Sequence, residues 1–277
     1  MLGGTLPSCK YVRTRFCGEL GYDLGAIEEA TVRFEGKIVI VTGAGRNIGE
    51  GIAHAFANEG ARVAVVDVIG ERATSVAAAI NADHAAAALG IACDVTAGEP
   101  VQAMLARVVE AWGGVDVLIN NVGVVDRQSI LEVSEEEWDR VIRISLRSVF
   151  VTTKYVALRM VEQAHGGAIV NIGSTSGHRA RSNATAYPAA KGGVLNLTRS
   201  LAAQLGPHGI RVNSITPNRV LTEAEPGAPT RATQVDNLVG RQVRPMDVAL
   251  AAVFLASDEA GAITGTDLAV DGGVLAI

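Results

Sequence analysis

Lys37-Ile38-Val39-Ile40-Val41-Thr42-Gly43-Ala44-Gly45-Arg46-Asn47-Ile48-Gly49 reads as a strand that runs into a glycine-rich turn and opens a helix. The unbroken β-branched run Ile38-Val39-Ile40-Val41 suits a strand covered by helices on both faces. Glycines in the turn let the backbone approach a pyrophosphate, and the free amides and dipole of the helix that follows favour its negative charge. The strand–turn–helix context is what raises such a pattern above an accident of composition. Asp67 stands eighteen residues after Gly49, at the end of the next strand-like run. There its carboxylate can hydrogen-bond a ribose 2′-hydroxyl and would repel a 2′-phosphate. Arg46, beside the turn, could instead accept a phosphate, so NADP stays open; the balance favours NAD.

Outward from this stretch, short β-branched runs alternate with longer Ala-rich helical segments from about residue 35 to the end. Strand-like runs fall at 37–42, 62–67, 87–93, 115–120, 168–172, 211–215 and 267–270, with helical segments between them. Alternation of this kind implies parallel strands joined by right-handed crossover helices, an α/β doubly wound sheet. Residues 1–33 show no sustained period and are read as an appendage: a disordered tail, an arm onto a neighbouring subunit, or an over-long start assignment. Residues 34–277 are read as one catalytic domain. A second irregular stretch, about 218–245, carries Pro226 and Pro229 after the sixth strand, where an insertion can lie over the strand ends as a lid.

The chain has 277 residues, 48% hydrophobic but only 4% aromatic, which stocks an aliphatic core. A net charge of −5 without a long basic run argues against nucleic acid and for small-molecule partners. Cys9, Cys17 and Cys93 form neither a disulfide framework nor a zinc pattern, and His54, His84, His165 and His208 are scattered, so no metal is expected. No apolar run is long enough to span a membrane, and no signal-peptide core precedes residue 31. A soluble protein of the reducing cytoplasm fits.

Tyr187 and Lys191 stand four apart in Tyr187-Pro188-Ala189-Ala190-Lys191, so on a helix they share a face. A free phenol titrates near pH ~10, and a nearby positive charge favours its phenolate, which suits proton transfer at carbonyl chemistry. Alone, this spacing is common; its weight comes from Ser174 upstream and from the dinucleotide turn. Asp94, with Val95, closes the third strand within reach of an adenine edge. Asn120-Asn121-Val122-Gly123 closes the fourth with polar side chains and a permissive glycine. Each alone is ordinary turn chemistry; their repeated placement after strands matters.

With these residues in view, 35–277 resembles the classical short-chain dehydrogenase/reductase family. The resemblance implies a Rossmann fold of seven parallel strands in the order 3-2-1-4-5-6-7. It implies that Tyr187 exchanges a proton with the substrate oxygen, that Ser174 hydrogen-bonds that oxygen, and that Lys191 binds the nicotinamide ribose and lowers the Tyr187 pKa. Gly43, Arg46, Asn47, Ile48, Gly49, Asp67, Asp94, Val95, Asn121 and Gly123 would line the cofactor, with Pro217, Val220 and Thr222 beside the nicotinamide amide. The chain departs from the family at Asn47, where the turn's middle glycine stands, at Val122, and at Asn218, which replaces a glycine after Pro217. The helix asparagine that helps hold a relay water is Ser145 here, expected to act as a weaker relay residue.

The implied activity is hydride transfer between NAD and a secondary alcohol or ketone. The alternatives are an NADPH-dependent 3-ketoacyl or sugar reductase and, in a different class, a nucleotide-binding protein that has lost turnover. The resemblance also implies a homotetramer built on the helices after the fourth and fifth strands; residues 184–205 are rich in small side chains. His178, Arg179 and Arg181, between Ser174 and Tyr187, are either solvated loop charges or contacts to a polar or anionic substrate.

Overall fold

Strand β1 (Ile38–Thr42) is buried along its whole length because parallel neighbours flank it and helices cover both its faces. The structure, a computed structural model, describes residues 32–220 and 237–277. Within it β1 is joined by β2 (Arg62–Asp67), β3 (Ala88–Ala92), β4 (Val117–Asn120), β5 (Gly167–Ile172), β6 (Ile210–Pro217) and β7 (Asp267–Val270). All pairings are parallel, and the seven-stranded sheet has the order β3-β2-β1-β4-β5-β6-β7, as expected. The described residues from Arg33 to Ile277 belong to one compact unit. The expected N-terminal extension up to residue 31, and the lid between 221 and 236, lie outside the described residues. No described helix is long and apolar enough to cross a membrane.

Alternation along β1 divides the core. Val39 and Val41 face one helical layer, formed by α1 (Asn47–Asn58), α2 (Gly70–Asp83) and α7 (Pro245–Ala256). Ile38 and Ile40 face the other, where α3 (Gly98–Trp112), α5 (Ser148–Gln163) and α6 (Ala186–Leu205) pack. Each fully buried Ile, Phe or Met side chain in these layers contributes about 1.5–3 kcal/mol relative to an exposed one. Between β4 and β5, α4 (Glu135–Ile142) runs into α5 through a π-helical turn, Arg143–Arg147.

The order of the strands reverses between β1 and β4, and the crevice at that switch point is where ligands of such sheets lie. It is stitched from both sides. The Thr42 hydroxyl donates to the Ile119 carbonyl (3.2 Å) and accepts from the Asn121 amide (3.1 Å). Below it, Asn120 donates to Asn171 (2.9 Å) and Thr153 (3.1 Å) and accepts from Thr152 (2.6 Å), a buried network that joins β4, β5 and α5.

Close approach fixes the outer layer at Gly90, where an added Cβ would lie 2.7 Å from Thr74 Cα and 2.8 Å from the Ala73 carbonyl. Gly90→Ala must push α2 away from β3, and should cost about 1–3 kcal/mol. An unchanged urea midpoint for that variant would show that the two elements separate freely.

Candidate active site

Gly43 (φ +61°) and Asn47 (φ +56°), in the turn after β1, both adopt the left-handed region. Asparagine tolerates this conformation better than most residues, which is why it can stand where glycine is usual. At Gly49 a Cβ would overlap the Gly43 carbonyl, and at Gly45 it would sit 2.8 Å from Asp67 Oδ2. Asp67 in turn accepts from the Gly45 amide (3.1 Å) and the Ile69 amide (2.9 Å). Each oxygen keeps a second lone pair for another donor. No side chain caps the first turn of α1, so its amides remain oriented toward the crevice.

These features fit a dinucleotide: bare backbone for a pyrophosphate, a helix start for its charge, and a carboxylate at the ribose position. The remaining expected residues are at the same strand ends. Ile48 packs partly buried on the core, and Val95 is buried within it. Asp94 accepts from the Thr96 amide (2.9 Å) and hydroxyl (2.7 Å), which hold it below the usual carboxylate range. Asn121 donates to the Thr42 (3.1 Å) and Gly43 (3.0 Å) carbonyls and so braces the turn with its side chain. Pro217 ends β6, and Val220 bridges to Val243. Thr222 lies outside the described residues.

Ser174, just beyond β5, and Tyr187 and Lys191 on α6 meet at the carboxyl edge of the sheet. Lys191 is 2% exposed, donates to the Ile172 carbonyl (2.6 Å) and lies 5.8 Å from the centre of the Tyr187 ring. An ammonium has three donors, and one is spent on Ile172; a ribose diol fits the remaining two. Gly123 leaves room for it, since a Cβ there would stand 3.3 Å from Lys191 Nζ.

Burial pushes Tyr187 up, while the nearby Ser174 hydroxyl and the charge of Arg181 pull it down. Lys191 lies over the ring, and burial pushes its own ammonium down to about 8. The helical register brings the lysine to the ring, but its charge is directed at Ile172 and the crevice. Arg181, on the loop before α6, adds a second positive charge near the phenol.

Ser145 sits at the centre of the π-helical turn and is fully buried. Its hydroxyl donates to the Val124 carbonyl (3.0 Å) and accepts from the Val124 amide (3.0 Å). It thus clamps the loop after β4, with its single proton committed to that contact.

Sequence reasoning missed Asp126, the next acidic residue along that loop. Only 1% exposed, it accepts from the amides of Thr185 (2.7 Å), Ala186 (2.9 Å) and Tyr187 (3.0 Å). The start of α6 has no side-chain cap of its own, so this distant carboxylate caps the helix and fixes the backbone of Tyr187. Burial would raise Asp126, but the three amides hold it below the ordinary value of 3.8. A depressed carboxylate stabilises the fold above that ordinary value and loses its contribution as pH falls through the lower folded value. Asp126→Ala should therefore cost about 1–3 kcal/mol near neutral pH. The gap from wild type should close on acidification below about pH 4, as urea midpoints measured across pH would register. A gap of constant size at every pH would mean that the carboxylate charge is not what holds α6.

A family model described as enoyl-(acyl carrier protein) reductase matches residues 43–275. The D-threitol dehydrogenase of Mycolicibacterium smegmatis is 42% identical over 245 residues, 87% of this chain and 94% of that protein. The meso-2,3-butanediol dehydrogenase of Serratia marcescens is 38% identical, with 88% of this chain and 97% of that protein covered. Among solved structures, a short-chain type dehydrogenase/reductase from Mycobacterium marinum superposes with a TM-score of 0.83 at 35% identity, covering 88% of this chain and 97% of that one. The 3-ketoacyl-(acyl-carrier-protein) reductase of Brucella melitensis complexed with NADH gives 0.79 at 36% identity, covering 87% and 98%. With its parallel sheet, phosphate turn and serine–tyrosine–lysine group, the chain belongs to the short-chain dehydrogenase/reductase family of nicotinamide-dependent alcohol and ketone oxidoreductases.

Proposed function

We propose that this protein is an NAD-linked dehydrogenase that interconverts a secondary alcohol and its ketone, with Tyr187 as the general acid and base. The observation that carries the reading is the meeting of Ser174, Tyr187 and the buried Lys191 at the mouth of the switch-point crevice. A bound nicotinamide supplies the acceptor for the hydride that leaves the carbinol carbon. Ser174 holds the substrate oxygen, and Tyr187 takes its proton as the C–H electron pair departs and the carbonyl forms. Lys191 orients the ribose from below. Because burial keeps Tyr187 protonated at neutral pH, it is a ready acid for ketone reduction. In the oxidative direction it must first release its proton, so alcohol oxidation gains as pH rises.

Asp67 supports NAD over NADP, since a 2′-phosphate would meet its carboxylate at a site already committed to negative charge. Arg46, next to the turn, favours the NADPH-dependent reductase as the second reading. Assembly as a homotetramer is part of the proposal: Phe150 and Leu158 are exposed on one face of α5 at helical spacing.

Tyr187→Phe should lower turnover by about 10²–10⁴-fold while NAD affinity, followed by fluorescence quenching, stays near wild type. Retained turnover in that variant would remove Tyr187 from the chemistry, and NAD binding without any turnover of wild type on secondary alcohols would favour the binding-protein alternative. Asp67→Ser should shift the NAD/NADP ratio of kcat/KM toward NADP by tenfold or more, equivalent to about 1.4 kcal/mol. A wild type that already prefers NADP would decide for the reductase. Light scattering that returns a monomer at working concentration would exclude the tetramer.

A further inference from the structure

Beside the catalytic group, a cavity of about 480 Å³ is lined by Thr175, Ser176, Arg179, Arg181, Asn218 and Arg219, among others. It begins one residue from Ser174, and among the described residues no Asp or Glu contributes to its wall. Three guanidinium groups around one cavity are unexpected in a chain with 24 basic and 29 acidic residues. None of the three is ion-paired with a described residue; the last residue, Ile277, lines the same cavity without pairing with them.

Two of these side chains are already oriented. Arg179 Nη1 donates to the Val274 carbonyl (3.0 Å), and Arg181 Nε donates to the Ser176 hydroxyl (2.9 Å). One bond each fixes the planar fork and leaves further N–H groups for a ligand. Across the cavity the Thr175 hydroxyl donates to Asn218 (3.2 Å), which joins the segment after β5 to the end of β6. Single solvated arginines seldom signal more than surface charge. Three lining one concave site beside Tyr187, with no carboxylate among the described wall side chains, are matched by a ligand that brings oxyanions of its own.

We propose that the substrate of this dehydrogenase carries a carboxylate or phosphate group that docks on Arg179, Arg181 and Arg219 while its carbinol lies at Ser174 and Tyr187. This rests on the dehydrogenase reading and narrows it to hydroxy acids or phosphorylated alcohols. The neutral diols named for the threitol and butanediol relatives offer no charge to such a site. Arg181 also links docking to chemistry. Its charge pulls Tyr187 down, so neutralising it with an anion would return the phenol toward its buried, protonated state.

The test uses the full chain with NAD and two matched pairs, 3-hydroxybutyrate against 2-butanol and glycerol 3-phosphate against glycerol. In each pair both members carry a secondary alcohol, and only one is an anion. At least one charged member should exceed its neutral counterpart in kcat/KM by tenfold or more. The pair showing the larger ratio identifies the oxyanion as carboxylate or phosphate. In R179Q/R181Q that ratio should fall at least tenfold, and calorimetric binding of 3-hydroxybutyrate or inorganic phosphate to the NAD complex should weaken to the same degree. Arg181→Lys, which keeps the charge without the fork, should restore the ratio only in part.

Turnover of neutral alcohols in preference to both anions would overturn the anionic substrate and leave the dehydrogenase reading standing. Absence of turnover on every alcohol, with anion binding still lost in R179Q/R181Q, would uphold the docking site and count against the dehydrogenase. Anions that bind the wild type and the double variant equally would overturn the proposal whatever the activity.

Discussion

A buried ammonium is costly unless it is hydrogen-bonded and faces something that can share its charge, and Lys191 is the residue on which the site depends. It reaches the end of β5 and donates to the Ile172 carbonyl, an oxygen that β6 pairing leaves in place at the edge of the sheet. From the other side Gly123 contributes no Cβ, so the loop after β4 closes over the ammonium without a clash. That loop is positioned by Ser145, through both backbone groups of Val124, and then by Asp126, which returns to α6 itself. The helix that carries Lys191 is therefore capped by the loop that covers Lys191. A displacement of either would be felt by the other, which is how a fold holds a reactive tyrosine to the tolerance that proton transfer requires.

What the amino-acid sequence made legible was local. β1 and β2 appeared as runs of β-branched residues, and the turn at Gly43 to Gly49 declared itself by its strand–turn–helix setting. Helix register brought Tyr187 and Lys191 together at the right separation. It could not show where their charges act, because that depends on which groups the tertiary fold brings beside them. Asp126 carries no signal of its own in the sequence; its meaning comes from amides 59 to 61 residues further along the chain, a distance over which no pattern speaks. Arg181 was visible as a loop cation near the catalytic segment, but its bond to Ser176 and its place in a shared cavity with Arg219 are three-dimensional facts.

The departures from the family pattern read differently once their contacts are known. Asn47 occupies the left-handed region that glycine would otherwise fill, so the turn keeps its shape with a side chain added. Ser145 is shorter than asparagine, yet its hydroxyl serves as donor and acceptor to one residue and spans the gap at the π-helical turn. Asn218, which stands in place of a glycine, accepts from Thr175 and ties the cavity wall to the residue after Ser174. A chain that had drifted free of catalysis would be expected to lose contacts at such positions. Here Ser145 and Asn218 make defined contacts, and Asn47 adopts the left-handed conformation the turn requires.

Charge distribution gives the same site a direction. The protein is acidic in total, and its phosphate turn, Asp67 and Asp94 place carboxylates on the cofactor side of the crevice. On the opposite side the loop before α6 and the segment after β6 present arginines. Fields of opposite sense across one crevice would bind a nucleoside on one wall and an anionic reactant on the other, and would resist the two in exchanged positions. In the proposed reading the reacting carbon lies between them, beside Tyr187, whose phenol feels the charge of Arg181. On that reading specificity and acid–base chemistry would share a single cation, Arg181, which would both recognise the substrate and act on the phenol.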